Sequence, residues 1–320
     1  MKEKILEFLA QSKGSYVSGE HISEELGISR AAVWKHIKSL REEGYIIESS
    51  SRRGYMLPLA SDVIIPSEIE AMLDTELIGR HIVFLESIDS TNDYAKKIAA
   101  ESPDGTLVIA DEQTKGKGRM DRAWSSKRGE GIWMSMVLKP RIAPHRASLI
   151  TLIAGAAVAK ALEGLGANVQ VKWPNDILIG GKKLCGILTE MGAQMERIDY
   201  IVLGIGINVS TTEFSEEIKG IATSLKSEGH YLSRKDVIAS VLNEFERMYT
   251  SYVKTGDASE AISICREKSS LIGREIYVIS WGGKEPAKAL DISDEGDLIV
   301  EYEDGRIEKV ISGEVSVRNR

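Results

Sequence analysis

Cysteine is almost missing from this chain: Cys185 and Cys265 are the only two among 320 residues, and no metal-ligand spacing surrounds either. So little cysteine sets aside a zinc site and argues for plain core thiols in a reducing cytoplasm. Long apolar runs are lacking as well, since none reaches the roughly 20 residues of a membrane-spanning helix. The opening segment, MKEKILEFLAQSKG, is too polar and acidic for a secretory signal. No GxxxxGK followed by Ser or Thr occurs, and no G-x-S-x-G elbow, which excludes an ordinary P-loop kinase and offers no hydrolase nucleophile. What is there is 42% hydrophobic and 28% charged, the composition of a soluble globular protein with room for two or three domains.

The charge is unevenly placed. Against a net −7 for the whole chain, residues 1–60 hold nine Lys and Arg and eight Asp and Glu, so the other 260 residues carry −8. An acidic chain can bind DNA when its cations cluster on one small surface. Ile5, Leu6, Phe8 and Leu9 set one apolar helical face. Ser18 is placed to cap a short helix that Gly27 ends. A third helix, Ser29 to Arg41, repeats Val33, Ile37 and Leu40 at intervals of four and three and turns Arg30, Lys35, Lys38 and Arg41 the other way. Strands at Tyr45–Ile47 and Gly54–Leu57 flank a polar hairpin with Arg52 and Arg53 near its tip. The order resembles a winged helix-turn-helix. That likeness implies Ser29, Arg30, Ala31, Ala32, Trp34 and Lys35 at a major groove, with Arg52 and Arg53 on phosphate. A protein-interaction domain with a solvated charged face is the alternative.

From about residue 63 the pattern is mixed α/β. The strand Ile82–Leu85 leads through Asp89-Ser-Thr-Asn-Asp93 into a helix from Tyr94 to about Ala100. Ser90, Thr91 and Asn92 either cap that helix or offer its end to a polar ligand. Between the apolar runs Thr106–Ala110 and Ile132–Leu138 lies KGKGRMDRAW, residues 115–124, with two glycines, four cations and no apolar period. A flexible cationic loop is expected there. Pro174 interrupts the strand Gln170–Ile179 and aims Asn175 and Asp176 at the sheet's rim. Gly180-Gly181 turns the chain back into a partner strand, 182–188. By alternation Lys183, Cys185 and Ile187 share one face, and Leu184, Gly186 and Leu188 the other. A lysine in such a run must reach solvent or find an anion, and Gly186 clears space at the backbone. A further run, Ile201–Val209, has glycines at alternate positions and one amide, Asn208.

Ser90-Thr-Asn92, GKGRMDRAW after Gln113, Lys172-Trp-Pro-Asn-Asp176, Lys183–Leu188 and Gly204-Ile-Gly-Ile-Asn208 occur in that order. Order and spacing resemble the biotin protein ligases and, with the winged helix, the bifunctional ligase and biotin-operon repressor type. The resemblance covers essentially the whole chain. It implies that biotin's carboxylate attacks the α-phosphate of ATP, which arrives with Mg²⁺, giving biotinyl-5′-AMP and pyrophosphate. Biotin then passes to a lysine of a biotin carboxyl carrier protein. The adenylate is both bound intermediate and corepressor, and operator DNA is bound by a homodimer. A mobile basic loop suits this chemistry because it closes over a water-labile anhydride and offsets its charge.

The resemblance also implies residue roles. Ser90, Thr91 and Gln113 would hold the ureido ring, supported by Asn92 and Gly204. Gly116, Lys117, Gly118 and Arg119 would form the closing loop, with Arg119 facing the activated carboxyl. Lys183 would meet the carboxylate and later the acyl-phosphate oxygens, and Gly186 would let the backbone approach. Arg122, Trp124, Lys172, Asn175, Asp176 and Asn208 would line the nucleotide side, with Asp176 near the nucleotide's Mg²⁺. Two positions depart from the family pattern. Lys117 replaces a common arginine, so a planar donor becomes a point charge, and Met120-Asp121 replaces what is often Arg-Gly. A biotin sensor without catalysis and a lipoyl or octanoyl transferase are the competing functions.

After helical segments at Arg234–Tyr252 and Asp257–Lys268, short strands separated by Gly, Asp and Glu turns suggest a small five-stranded SH3-like barrel. The expected architecture is α+β and multidomain. It comprises a winged helix-turn-helix at 1–62, a mixed α/β biotin-ligase catalytic domain at 63–270 and the barrel at 271–320.

Overall fold

A computed structural model describes all residues except 13, 14, 43, 44, 46, 58–61, 195, 196, 281, 282, 312, 313 and 318–320. The chain divides into two compact units, 1–71 and 72–320.

In the first unit, helices α1 (Lys2–Gln11), α2 (Gly19–Leu26) and α3 (Arg30–Glu42) precede strands β1 (Glu48–Ser50) and β2 (Gly54–Met56), with a short α4 (Pro66–Glu70) at the end. Ser18 caps α2 by accepting from the His21 N–H at 3.1 Å, and Gly27 closes it in the left-handed region. Ile5, Leu9, Ile22, Val33, Ile37 and Leu40 are buried in one core. The wing begins at Glu48, later than the expected Tyr45, and Ile46 lies outside the described residues. Val63 and Ile65, just past the boundary expected at residue 62, are buried in this same core.

The second unit is built on a seven-stranded sheet. In chain order its elements are β3 (Ile82–Leu85), α5 (Thr91–Ile98), β4 (Thr106–Ala110), β5 (Gly131–Leu138), α6 (Ser148–Gly164), β6 (Gln170–Lys172), β7 (Asp176–Ile179), β8 (Lys182–Gln194) and β9 (Arg197–Asn208). The strand order is β3-β4-β5-β9-β8-β7-β6, with β3 and β4 parallel and the other neighbours antiparallel. Every residue of β4 and β5 is buried, as expected of strands covered on both faces. Residues 144–164, which include α6, are long and apolar enough by composition to cross a membrane, which run length did not anticipate. Most of that stretch is instead buried inside the fold, where Gly155 of α6 faces Val171, Ile177 and Ile187.

Helices α7 (Arg234–Thr255) and α8 (Ser259–Glu267) follow, then β10 (Glu275–Ser280), β11 (Gly283–Ile292), β12 (Leu298–Tyr302), β13 (Ile307–Val310) and β14 (Glu314–Val317). These five strands form one antiparallel sheet, ordered β13-β12-β11-β10-β14. The sheet belongs to the second unit because tertiary bonds tie it there. The Trp173 indole N–H donates to the Gly296 carbonyl at 2.9 Å, and Arg266 Nε donates to the Ile292 carbonyl at 2.7 Å. Both cysteines are free and buried. Burial pushes their thiols up, that of Cys265 to about 12, so both are inert at neutral pH.

Candidate functional site

The N-terminus of α5 supplies one wall of a cavity of about 790 Å³ in the second unit, a volume suited to small-molecule ligands. The helix starts at Thr91, three residues earlier than the sequence suggested, because Ser90 is its cap: its hydroxyl accepts from the Asp93 N–H at 3.4 Å. Capping and cavity lining are thus combined in Ser90, not alternatives. Thr91 donates twice to Gln113 Oε1, from its N–H at 2.8 Å and its hydroxyl at 3.0 Å. Gln113 Nε2 donates to the Ser126 hydroxyl at 2.8 Å. The Ser135 hydroxyl lies 2.6 Å from Asn92 Oδ1 and 2.7 Å from Thr91 Oγ1, and Asn92 Nδ2 donates to Glu190 Oε2 at 2.8 Å. Ser90, Thr91, Asn92, Ser126 and Ser135 are buried, and these bonds fix the orientation of the floor.

Ser126, Ser135 and Glu190 were not expected from sequence. Ser135 left a signal: a lone hydroxyl in the buried strand GIWMSMVL must find a partner. No local pattern marks Ser126 or Glu190.

Glycines clear the floor. A Cβ on Gly204 would overlap Asn92 Oδ1, and one on Gly206 would come within 2.6 Å of Trp124 Nε1. At Gly186 it would lie 2.9 Å from the Trp124 ring and 3.2 Å from Lys183 Cε. Lys183 and Gly186 therefore face the cavity together, against the alternation expected from sequence. The cause is a bulge: Ile177 pairs with Cys185, but Leu178 pairs with Lys183, so one extra residue re-aims the lysine. Beyond the bulge, Gly186 faces Trp124 and Glu190 reaches Asn92 and Lys96 of α5, while Ile187 packs against α6 and Thr189 bonds Thr151 there at 2.7 Å.

Lys183 Nζ lies 2.6 Å from Asp176 Oδ1 and 5.3 Å from the centroid of the Trp124 ring. Asp176 comes from β7, which with β6 makes a tight hairpin around Trp173-Pro174, in place of one interrupted strand. The Asp176 carboxylate, expected beside the nucleotide's Mg²⁺, here pairs with the Lys183 ammonium. Among the described residues no group of three His, Cys, Asp or Glu could hold a metal ion. Asn175 Nδ2 donates to the Ile187 carbonyl at 3.0 Å, and its Oδ1 accepts from Arg119 Nη1 at 3.0 Å. Asn208 Nδ2 donates to the Thr223 carbonyl at 2.9 Å. Arg122 and Lys172 line the same space, as do Ser270 and Arg274 from the approach to the five-stranded sheet.

The basic segment folds back on itself. Trp124 N–H donates to the Gly116 carbonyl at 2.8 Å, Gly118 N–H to the Arg122 carbonyl at 2.7 Å, and Lys117 bridges Ala123. The result is a short hairpin whose tip, Arg119–Asp121, is a 3₁₀ turn with Met120 at φ 55°, a conformation glycine adopts more readily. Lys117 Nζ lies 2.6 Å from Asp93 Oδ2. Gly116 is the one residue of the expected site that does not line the cavity; it faces the Trp124 carbonyl. Lys117, Arg119, Arg122, Lys172, Lys183 and Arg274 line the cavity against two carboxylates, Glu130 and Asp176. So cationic a pocket in a chain of net −7 selects an anionic ligand.

In the first unit, Arg30, Ala31, Trp34 and Lys35 of α3 are exposed and Ala32 is partly so, while the Ser29 hydroxyl accepts from the Ala32 N–H at 3.2 Å. Arg52 is exposed in the turn between β1 and β2, and Arg53 stacks 3.9 Å over the Tyr16 ring. Arg41, grouped by sequence with the outward cations, donates to the Ile47 carbonyl at 2.8 Å and so braces the entry to the wing.

Residues 84–208 match the model of the biotin/lipoate A/B protein ligase family, 2–56 match an HTH domain and 271–318 match the biotin protein ligase C-terminal domain. The chain is 41% identical to the bifunctional ligase/repressor BirA of Bacillus subtilis (strain 168), over 99% of this chain and 98% of that protein. Identity to the bifunctional ligase/repressor BirA of Escherichia coli (strain K12) is 32%, over 99% and 97%. Among solved structures, the biotin protein ligase of Aquifex aeolicus in complex with biotin and ATP superposes with a TM-score of 0.65 at 31% identity, over 75% of this chain and 100% of that one.

Proposed function

The chain belongs to the biotin protein ligase family, and from that premise we propose how its cavity carries out the two half-reactions of a ligase that is also a repressor. It is an ATP-dependent biotin ligase with a helix-turn-helix domain, acting on a carrier protein and on DNA. In the first half-reaction a biotin carboxylate oxygen attacks the α-phosphorus of ATP, the bond to the bridging β-oxygen breaks, and pyrophosphate leaves. In the second, the amine of the carrier lysine attacks the acyl carbon and AMP departs with the electron pair.

Thr91, Gln113 and Ser90 hold the ureido ring on the floor, and Asn92 and Gly204 set its depth. Lys183 neutralises the carboxylate and then the acyl-phosphate oxygens. Asp176 keeps the ammonium aimed until substrate arrives, a role that fits their 2.6 Å separation. Arg119, held by Asn175 at 3.0 Å, faces charge that builds on the phosphate. Trp124, Arg122, Lys172 and Asn208 line the nucleotide side, and Gly116, Lys117 and Gly118 carry the loop that excludes water.

The observation that carries this reading is the neighbourhood of a buried polar floor and six cations within one cavity. Biotin-dependent ATP–pyrophosphate exchange tests it. Exchange is expected with biotin and not with lipoate, whose dithiolane offers nothing to the ureido-binding groups. No exchange with biotin would favour a sensor without catalysis; exchange with lipoate would favour an acyl transferase.

Repression is proposed to follow by linkage: if the adenylate orders a surface that completes a homodimer, it favours the dimer by as much as it prefers that state. Two winged helices related by a two-fold axis then read an inverted repeat. On an inverted-repeat duplex from upstream of biotin-synthesis genes, affinity is expected to rise when biotin and MgATP are added. Arg30→Ala or Lys35→Ala should lower affinity and reduce the salt slope by about 1 for each phosphate no longer neutralised. An unchanged slope would remove these side chains from the interface.

A further inference from the structure

One carboxylate outside the family motifs ties the basic loop to the cavity floor. Asp93, in the first turn of α5, lies 2.6 Å from Lys117 Nζ and 2.8 Å from Lys96 Nζ. Lys96 continues to Glu190 at 2.8 Å, and Glu190 accepts from Asn92 at 2.8 Å, the amide that also meets Ser135. Burial works against ionisation of Asp93, but hydrogen bonds from Lys117 and Lys96 outweigh it and hold its carboxyl below the usual range. An acid in a helix's first turn has an ordinary explanation in the helix dipole. That explanation does not account for Lys117, which reaches Asp93 from a separate hairpin.

We propose that Asp93 is a positioning residue for the ligation reaction: by pairing with Lys117 it keeps the 116–122 hairpin closed over the acyl-adenylate, without itself touching substrate. The inference rests on the ligase reading above. Lysine at 117 suits the task, because its ammonium takes only Oδ2 of Asp93 and leaves Oδ1 to Lys96, where a guanidinium fork would claim both oxygens. Asp93 also touches Lys96, so the closed loop and the Glu190–Asn92 support of the floor share one ionic chain. Loop closure and the grip on biotin are thereby coupled through side chains in direct contact.

The test is a double-mutant cycle in the full chain with D93N, K117M and the pair. Two readouts are taken: release of labelled biotinyl-adenylate chased with excess biotin, and amide hydrogen exchange of residues 116–122 in the ligand-free protein. Asp93→Asn is expected to speed release about 2–5-fold, the range of a half-exposed ion pair. Formation of the adenylate, read by pyrophosphate exchange, should slow by less than about twofold, since an interaction outside the reacting centre is removed. Hydrogen exchange in 116–122 should rise by a similar factor. In the K117M background, Asp93→Asn should change neither readout further.

Release and hydrogen exchange at wild-type values in D93N would overturn the proposal. So would an effect of D93N that persists in K117M, because Asp93 would then act through the end of α5. The hydrogen-exchange arm needs no ligand, so it reads the ion pair even if the chain makes no adenylate. Failure of the ligase reading would appear separately, as absent pyrophosphate exchange in the wild type.

Discussion

Lys183→Ala is expected to lower biotin-dependent pyrophosphate exchange by about 10²–10³-fold, the cost of removing one preorganised charge from a reacting centre. The same variant should still fold. Its ammonium is a third exposed and Asp176 retains some access to solvent, with side-chain exposures of 33% and 17%. Loss of such a pair costs about 1 kcal/mol, provided the space vacated by the lysine admits water to the Asp176 oxygen that is otherwise buried. Lys183→Arg should recover only part of the activity, because a planar fork cannot occupy the place of a point charge above Gly186. Exchange kinetics beside a thermal melt decide the matter. Global unfolding of the alanine variant would make Lys183 a structural residue, and near-normal exchange would remove it from the chemistry.

Gly204→Ala should weaken biotin binding by about 10²-fold, the scale of effect when a positioning group is displaced by an ångström. Gly204 pairs with Ser135 on one side and Leu188 on the other, so the strand cannot move aside. The new methyl must therefore displace Asn92, whose Cγ lies 2.9 Å from its position. With Asn92 go its bonds to Ser135 and Glu190. Overpacking of this kind also destabilises by about 1–3 kcal/mol, so titration calorimetry is best run well below the melting temperature. Wild-type affinity in this variant would mean that biotin does not lie on the floor proposed for it.

The winged domain was legible in the sequence because its signals are local. Ser18 and Gly27 mark the ends of a helix eight residues long, and Val33, Ile37 and Leu40 repeat within one face of α3. The catalytic motifs were legible through their order, and all of the expected cavity residues except Gly116 do line one cavity. Facing was less legible. Alternation assigned Lys183 to the side of Cys185, and one bulge reversed it. The basic segment read as a cationic loop, and its backbone pairing, Trp124 N–H to the Gly116 carbonyl, was not legible. Arg41 read as an outward cation and is exposed, but its bond to a carbonyl six residues on was not legible.

Sequence alone determined the three-part order of the chain, the family and the residue types that line the cavity. Helix periodicity, turn glycines and motif spacing are properties of neighbours along the chain, so they survive without a fold. Only the tertiary structure decided that Asp176 holds Lys183, that Ser135 and Glu190 brace the floor, and that Asp93 meets Lys117. Those pairs join residues that are not neighbours along the chain. Their meeting depends on strand register and on where one extra residue in a strand turns the next side chain.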